Sequence, residues 1–427
     1  MGFPRAFLLA ICIISASSVF ITDVTSDGIV DDDPITMDLD LILSRPRRTL
    51  NQVGGFGGGG GGGFNIPGFL GPLLNPNLIA SYFALQAWKQ AITSDPKGIT
   101  DTWVGFDVCK YEGVFCAPPP DNSCKLVVAG IDLNHANLAG TLPEKLGLLK
   151  YLAIFHINSN RFYGTLPESI SKWSLLYELD VSNNLFEGPF PEVVLCLPSL
   201  AFLDIRFNRF SGYLPPALFE VKTLNAIFVN DNLFTGPIPE NLGSSPVSVV
   251  VFARNSLAGG IPDSVSQMAD TLVETIFLGN GLTGCVPGGF GELHELNVLD
   301  ISFNNLSGVI PPSISRLRKV EQLNVADNLL SGPIPADICT LPKLQNFTAS
   351  ANFFTSVDAE CAELPAKGVV FDVRQDCLGS GFPGQRSTQE CSAFFATDQI
   401  CPAPKPPPPP SPPPYLYASP PPPPSQY

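Results

Sequence analysis

The sequence predicts an α/β solenoid of about ten coils, closed by a cap at each end, and three observations carry that prediction. Gly-x-x-Pro recurs from Gly140 to Gly332 at a spacing of 24 residues, with one compensated slip to 23 and 25 around Gly259. Four residues before each of these glycines stands an asparagine, from Asn160 to Asn328, with a partial tenth unit at Asn352 and Ala136 in its place in the first. Upstream of each asparagine, apolar residues recur eight, five and three positions back, as in Leu176, Leu179 and Val181, and the alternation of the last two marks a strand.

A 24-residue unit cannot bury its own apolar face, so it is stable only between neighbours, and a period of this length reads as stacked repeats. The asparagine amide can satisfy backbone groups where each coil bends, glycine permits the bend, and proline fixes φ on the outer side. The pattern L-x-x-L-x-L-x-x-N-x-L-x-G-x-I-P is similar to the leucine-rich repeat in its plant extracellular form. These residues are scaffold, so function is expected between them.

The elements follow in chain order. Residues 1–20 carry Arg5 and a short apolar run, the pattern of a secretory signal peptide cleaved near residues 17–25 and too short to span a bilayer. Residues 21–76, with Asp31 to Asp33, Arg45 to Arg48 and seven consecutive glycines ending at Gly63, read as a disordered Gly-rich linker. The glycines are no phosphate loop, because no Lys-Ser/Thr follows them. Residues 77–130 should form an N-terminal cap, with Leu78, Tyr82, Leu85, Trp88 and Ile92 on one helix face ended by Asp95-Pro96, and Cys109 and Cys116 paired across a short loop. Repeats fill residues 131–355. Residues 356–401 read as a Cys-rich C-terminal cap holding Cys361, Cys377, Cys391 and Cys401, whose pairing spacing does not decide, and a capping box at Ser387-x-x-Glu390. Residues 402–427 form a short proline-rich tail containing Tyr415 and Tyr417, for which polyproline II is the natural conformation.

Ten cysteines remain once Cys12 leaves with the signal peptide, an even number as an oxidising compartment favours. The net charge of −15 disfavours nucleic acid as a partner and favours cations. No second hydrophobic run reaches membrane length, so a secreted protein without a membrane span is expected. His135, His156 and His294 are not spaced as metal ligands, and no nucleophile, base and orienter stand at recognisable spacing. Neither a metal, a cofactor nor catalysis by the chain is therefore expected.

Together the Cys109/Cys116 cap, the repeats and the Ser-Pro/Tyr-x-Tyr tail resemble the leucine-rich repeat extensins of plant cell walls. Strings such as Ala84-Leu-Gln-Ala-Trp-Lys, Gly113-Val-Phe-Cys116, His156-Ile-Asn-Ser-Asn160 and Thr283-Gly-Cys285 carry the resemblance over residues 77–427. It implies a secreted wall glycoprotein whose repeats bind small basic disulfide-bonded peptides of the rapid alkalinization factor type, as a homodimer linking peptide signalling to pectin or other wall polymers. It also implies oxidative cross-linking at Tyr415 and Tyr417, although the tail has only two Ser-Pro-rich units against the many of extensin proper. Two rivals are an inhibitor of a wall hydrolase, similar to the polygalacturonase-inhibiting proteins, and a purely structural wall component.

Residues two, four and six before each ladder asparagine should point out of the inner strand, opposite the buried leucines, and form a concave face. The candidate peptide-binding residues are Asp132, His156, Glu178, Asp180, Phe202, Asp204, Arg206, Phe228, Val251 and Ile276: carboxylates toward the N-terminal end, then Phe202, Phe228, Val251 and Ile276 as an exposed apolar patch. Charge beside exposed aromatics suits a basic, partly apolar peptide. Asn305, expected in a turn, and Asn346, at the C-terminal rim of that face, head the two N-glycosylation sequons.

Overall fold

The computed structural model describes residues 75–120, 125–379 and 381–397. The expected signal peptide, nearly all of the Gly-rich linker, the proline-rich tail with Tyr415 and Tyr417, Cys124 and Cys401 lie outside them.

Helix α1, Pro76–Ala91, starts where Asn75 caps it through a hydrogen bond from the Asn77 N–H (3.1 Å), with proline in the first helical position. It buries Leu78, Ala84, Leu85 and Trp88, while Tyr82 is only half-buried against Phe106, with ring centroids 4.4 Å apart. Ile92 departs from the predicted face. It opens the strand Ile92–Ser94, because a β-branched residue at this point pairs antiparallel with Ala139–Gly140 and starts the outer sheet. Trp88 stands 5.8, 5.6 and 5.7 Å from the rings of Trp103, Phe155 and Phe162, so the cap plugs the open end of the first coils with aromatic surface.

The coils give two sheets. The inner sheet has twelve strands in chain order, from Val114–Ala117 and Val127–Asp132 to Val370–Asp372; all neighbours after the first antiparallel pair are parallel. Its register equals the sequence period, so Asp132 faces His156, His156 faces Asp180 and Asp180 faces Asp204. The outer sheet has eleven strands, from Ile92–Ser94 to Phe353–Val357, and short 3-10 turns such as Glu144–Leu148 and Glu168–Lys172 follow the prolines on the convex side. Between the sheets lies one continuous core of the period's apolar residues, with Phe155, Phe162, Phe186, Phe210, Phe234 and Phe252 fully buried.

The asparagine ladder does what its position predicts. Asn208 donates from Nδ2 to the carbonyls of Val181, Ile205 and Arg206 (3.0, 3.1 and 3.1 Å) and accepts from the Phe186 N–H at 3.0 Å. Equivalent bonds recur at Asn232, Asn304, Asn328 and Asn352. The residue before each of these asparagines sits in the left-handed region, as at Phe207 (φ 50°) and Asp231 (φ 54°). Among the period's glycines, Gly236 has φ 76°, and a Cβ there would come within 2.2 Å of the Tyr213 ring.

The array runs past residue 355, the expected end of the repeats. Val370–Asp372 pairs parallel with Asn346–Thr348 at an offset of 24 residues (370 − 346), so the segment expected as pure cap contributes an eleventh coil. Asn305 is exposed, as a glycan acceptor must be, but it opens the outer strand Asn305–Gly308 instead of lying in a turn.

Disulfides join Cys109 to Cys116, Cys339 to Cys361 and Cys377 to Cys391. The second ties the last convex turn of the repeats, Ala336–Thr340, to the C-terminal segment, so Cys361 pairs back into the array. Cys196 is exposed and unpaired. Replacing Cys339 and Cys361 together by serine opens a loop of 22 residues, expected to cost about 3 kcal/mol. Limited proteolysis should then cut the C-terminal end first and leave the preceding coils intact. Cleavage that begins in the middle of the array would contradict this.

Candidate functional site

The concave face is built by the residues of the inner strands that alternate with the buried leucines. Asp132 is exposed at its N-terminal end, and His156, Glu178, Asp180 and Phe202 are half-buried on the next three strands. His156 Nε2 lies 3.1 Å from Glu178 Oε2. Burial pulls the imidazole down, but the hydrogen bond to Glu178 and the charges of Asp180, Glu178 and Asp132 outweigh it and hold His156 above its ordinary value.

The expected exposed apolar patch is overturned. Phe228, Val251 and Ile276 are only 3, 1 and 7% exposed. Parallel strands stand about 4.8 Å apart, so large side chains in one column shield their neighbours. The Phe202 and Phe228 rings are 5.2 Å apart, and the Arg206 guanidinium carbon lies 5.8 Å from the Phe228 centroid. These residues form a packed floor. Asp204 and Arg206 belong to it as well, both buried, with Arg206 Nε 3.1 Å from Asp204 Oδ2.

The carboxylate column has a structural duty that sequence reading did not assign. Asp132, Asp180, Asp204 and Asp300 each accept through Oδ1 the backbone N–H two residues on, at 3.1, 3.0, 3.1 and 2.9 Å. At two of them a serine hydroxyl adds a second bond: Ser182 to Asp180 and Ser302 to Asp300, both 2.6 Å. Asn324 does the same with the Ala326 N–H at 3.1 Å, so the turn needs an acceptor and no charge. The sequence signal was available: Ser182 and Ser302 stand two residues after their aspartates. Toward the far end the column carries fewer carboxylates, with Asn324 and Thr348 following Asp300, whose carboxyl burial pushes up despite its bonds from Ser302 and Asn324. Glu274 is likewise buried and pushed up. The stretch suited to a charged partner is thus the N-terminal one, from Asp132 to Phe202.

Asn346, at the far rim, is half-buried and accepts from the Thr348 hydroxyl at 3.0 Å.

A leucine rich repeat family model matches residues 278–330. Leucine-rich repeat extensin-like protein 6 of Arabidopsis thaliana is 57% identical over 238 residues, 56% of this chain and 50% of that protein. Over more than half its length the chain is thus similar to leucine-rich repeat extensin-like proteins. Leucine-rich repeat extensin-like protein 2 of the same plant is 49% identical over 230 residues, 54% of this chain and 29% of that one, so the chain spans half or less of the length of these two extensin-like relatives. Among solved structures, the Arabidopsis HAESA receptor kinase ectodomain, in complex with an extended IDA peptide hormone ligand, is similar at 28% identity. Its TM-score is 0.60, over 70% of this chain and 50% of that one. A plant ice-binding protein is similar at 25% identity and a TM-score of 0.57, over 74% of this chain and 99% of its own length. The solenoid of this chain is thus similar both to that of a peptide-bound receptor ectodomain and to that of an ice-binding protein, so the face must be read from its own residues. No helix among the described residues is long and apolar enough to cross a membrane.

Proposed function

We propose that this is a secreted leucine-rich repeat protein of the plant cell wall. On this reading the N-terminal half of its concave face binds a small basic disulfide-bonded peptide of the rapid alkalinization factor type. The observation that carries the reading is the acidic groups Asp132, Glu178 and Asp180, on the coils either side of the one that carries His156, beside half-buried Phe202 and a floor already packed by Phe228, Val251 and Ile276. The extensin-like relatives support the wall setting, and the peptide-bound HAESA ectodomain supports use of such a solenoid for peptides. Pairing of two copies, contact with wall polymers, and glycans at Asn305 and Asn346 belong to the same reading. Binding, not catalysis, is the proposed activity.

Exposed charge pairs contribute only about 0–1 kcal/mol each, so the carboxylates govern encounter more than residence. Because Asn324 shows that an amide can hold the turn, Asp132→Asn and Asp180→Asn remove charge without removing the acceptor. In surface binding against a synthetic basic disulfide-bonded peptide, this double variant should associate roughly three- to tenfold more slowly at low salt, with little change at high salt. Phe202→Ala should mainly speed dissociation. Unchanged rates in both variants, with the protein folded, would move the search to the caps or a dimer surface. Capture of a wall hydrolase from extract by the unaltered protein, with no affinity for the peptide, would favour the inhibitor reading.

A further inference from the structure

The C-terminal end of the array repeats the ladder once more with a different residue. Asp376 stands 24 residues after Asn352 (376 − 352), and Gln375 before it has φ 57°, as the residues before the ladder asparagines do. Asp376 is fully buried, and its Oδ1 accepts from the N–H of Phe354 at 3.3 Å and of Asn352 at 3.1 Å. The first of these is the bond that ladder asparagine oxygens such as those of Asn352 and Asn328 accept from the residue 22 positions back. Its other oxygen, Oδ2, has no hydrogen-bond partner. In Asn352 the corresponding atom is the amide nitrogen, which donates to the carbonyls of Val325, Ala349 and Ser350 at 2.9, 3.1 and 3.2 Å. By register, the ladder carbonyls at that level are those of Ala349, Val373 and Arg374, each of which already accepts one bond, from Asn352 Nδ2 (3.1 Å), Gln385 Nε2 (2.8 Å) and the Ala351 N–H (2.8 Å), and as a carbonyl can accept a second. An ionised carboxylate has nothing to donate to them, whereas a carboxylic acid has one O–H.

We propose that Asp376 is a proton-operated latch: the protonated acid takes the place of a ladder asparagine in the eleventh coil and holds the C-terminal cap on the array, and ionisation loosens it. The cap is fastened through this residue. The Arg386 N–H donates to the Asp376 carbonyl at 2.9 Å, Arg386 Nε donates to the Asn352 carbonyl at 2.9 Å, and its guanidinium lies 4.4 Å over Phe353. Cys377, the next residue, carries the disulfide to Cys391 in helix α2, Thr388–Phe395.

The charged groups around Asp376 act in opposite directions. Burial favours its neutral form most strongly, the bonds from Phe354 and Asn352 and the Arg386 charge oppose this, and the Asp372 carboxylate reinforces it, so that its carboxyl is pushed up to about 7 from 3.8. Asp372 is itself paired with Arg374 and held low. Asp327 faces Arg386 and Asp372 from two coils back and is also pushed up by burial. Glu390, held low by Ser387, faces Arg386 from α2. Because the folded form of Asp376 holds its proton above the unfolded value, its stabilisation is complete below about 4 and is lost progressively as pH rises to about 7.

The test is amide hydrogen exchange on the full chain, corrected for the intrinsic pH dependence of exchange and read at residues 349–357 and 370–391. The opening equilibrium there should rise about tenfold per pH unit between about 5 and 7 and level off above. Asp376→Asn should remain as closed at pH 7.5 as the natural protein is at pH 5, with no slope, while Asp327→Asn should keep the slope. A flat profile in the natural protein overturns the proposal, and that measurement decides even if the variant does not fold. A slope that persists in Asp376→Asn, or a variant more open than the natural protein at pH 5, overturns it equally.

Discussion

Asn232→Ala should destabilise the protein by about 3–5 kcal/mol, a large fraction of the stability of an ordinary domain. Its Nδ2 donates to the carbonyls of Ile205, Val229 and Asn230 (3.0, 3.2 and 3.3 Å), and its Oδ1 accepts from the Phe210 N–H at 3.0 Å. All of this is buried, so alanine leaves one N–H and its share of three carbonyls without a partner and without water. Each orphan costs about 1–3 kcal/mol, although the coil can relax to recover part. Since each coil contacts only its neighbours, the break should also divide the array, turning one urea transition into two or broadening it. A shift below about 1 kcal/mol with an unchanged slope would show that the ladder is not what holds the bends.

Trp88→Ala should cost about 3–5 kcal/mol through a different route, since it empties the space between Trp103, Phe155 and Phe162 at the end of the array. The indole is fully buried, yet its Nε1 has no hydrogen-bond partner. Trp88→Phe therefore loses volume but no bond, and should cost about 1–2 kcal/mol. Thermal unfolding of both variants checks the difference, and equal losses would mean that the nitrogen matters after all. Proteolysis of the alanine variant should start at α1 and the first coils.

Most of the scaffold is legible in the sequence because it is periodic. Leu176, Leu179 and Val181 repeat a spacing that only a stacked coil satisfies, and the Asn208 bonds follow from where that asparagine must stand. The cap helix was legible from Leu78, Leu85 and Trp88 at helical spacing. The candidate site was legible only by column. Alternation says that Phe228 and Val251 leave the core, but not that their neighbours on the adjoining strands then cover them, because that depends on distances between coils. Asp180 and Asp204 look alike in sequence, yet one is half-exposed and the other is locked against Arg206. The eleventh coil was hidden for a chemical reason: a search keyed on asparagine passes over Asp376, although its spacing is right.

The two sheets also decide how the molecule bears tension. Every inner strand lies across the stacking direction, so the hydrogen bonds between coils, such as those pairing Val127–Asp132 with Ile154–His156, point along it. A pull applied at the two ends of the array meets these bonds one coil at a time, as a zipper does, and not all together, as in a sheet loaded in shear. Each coil that peels releases about 24 residues, on the order of 80 Å of extended chain. The Cys339–Cys361 and Cys377–Cys391 bridges shorten what peeling releases at the C-terminal end, where the released length is limited to what lies outside their loops, the strand Val370–Asp372 included. Under such a pull the array would thus lengthen in even steps from whichever end is less securely bolted.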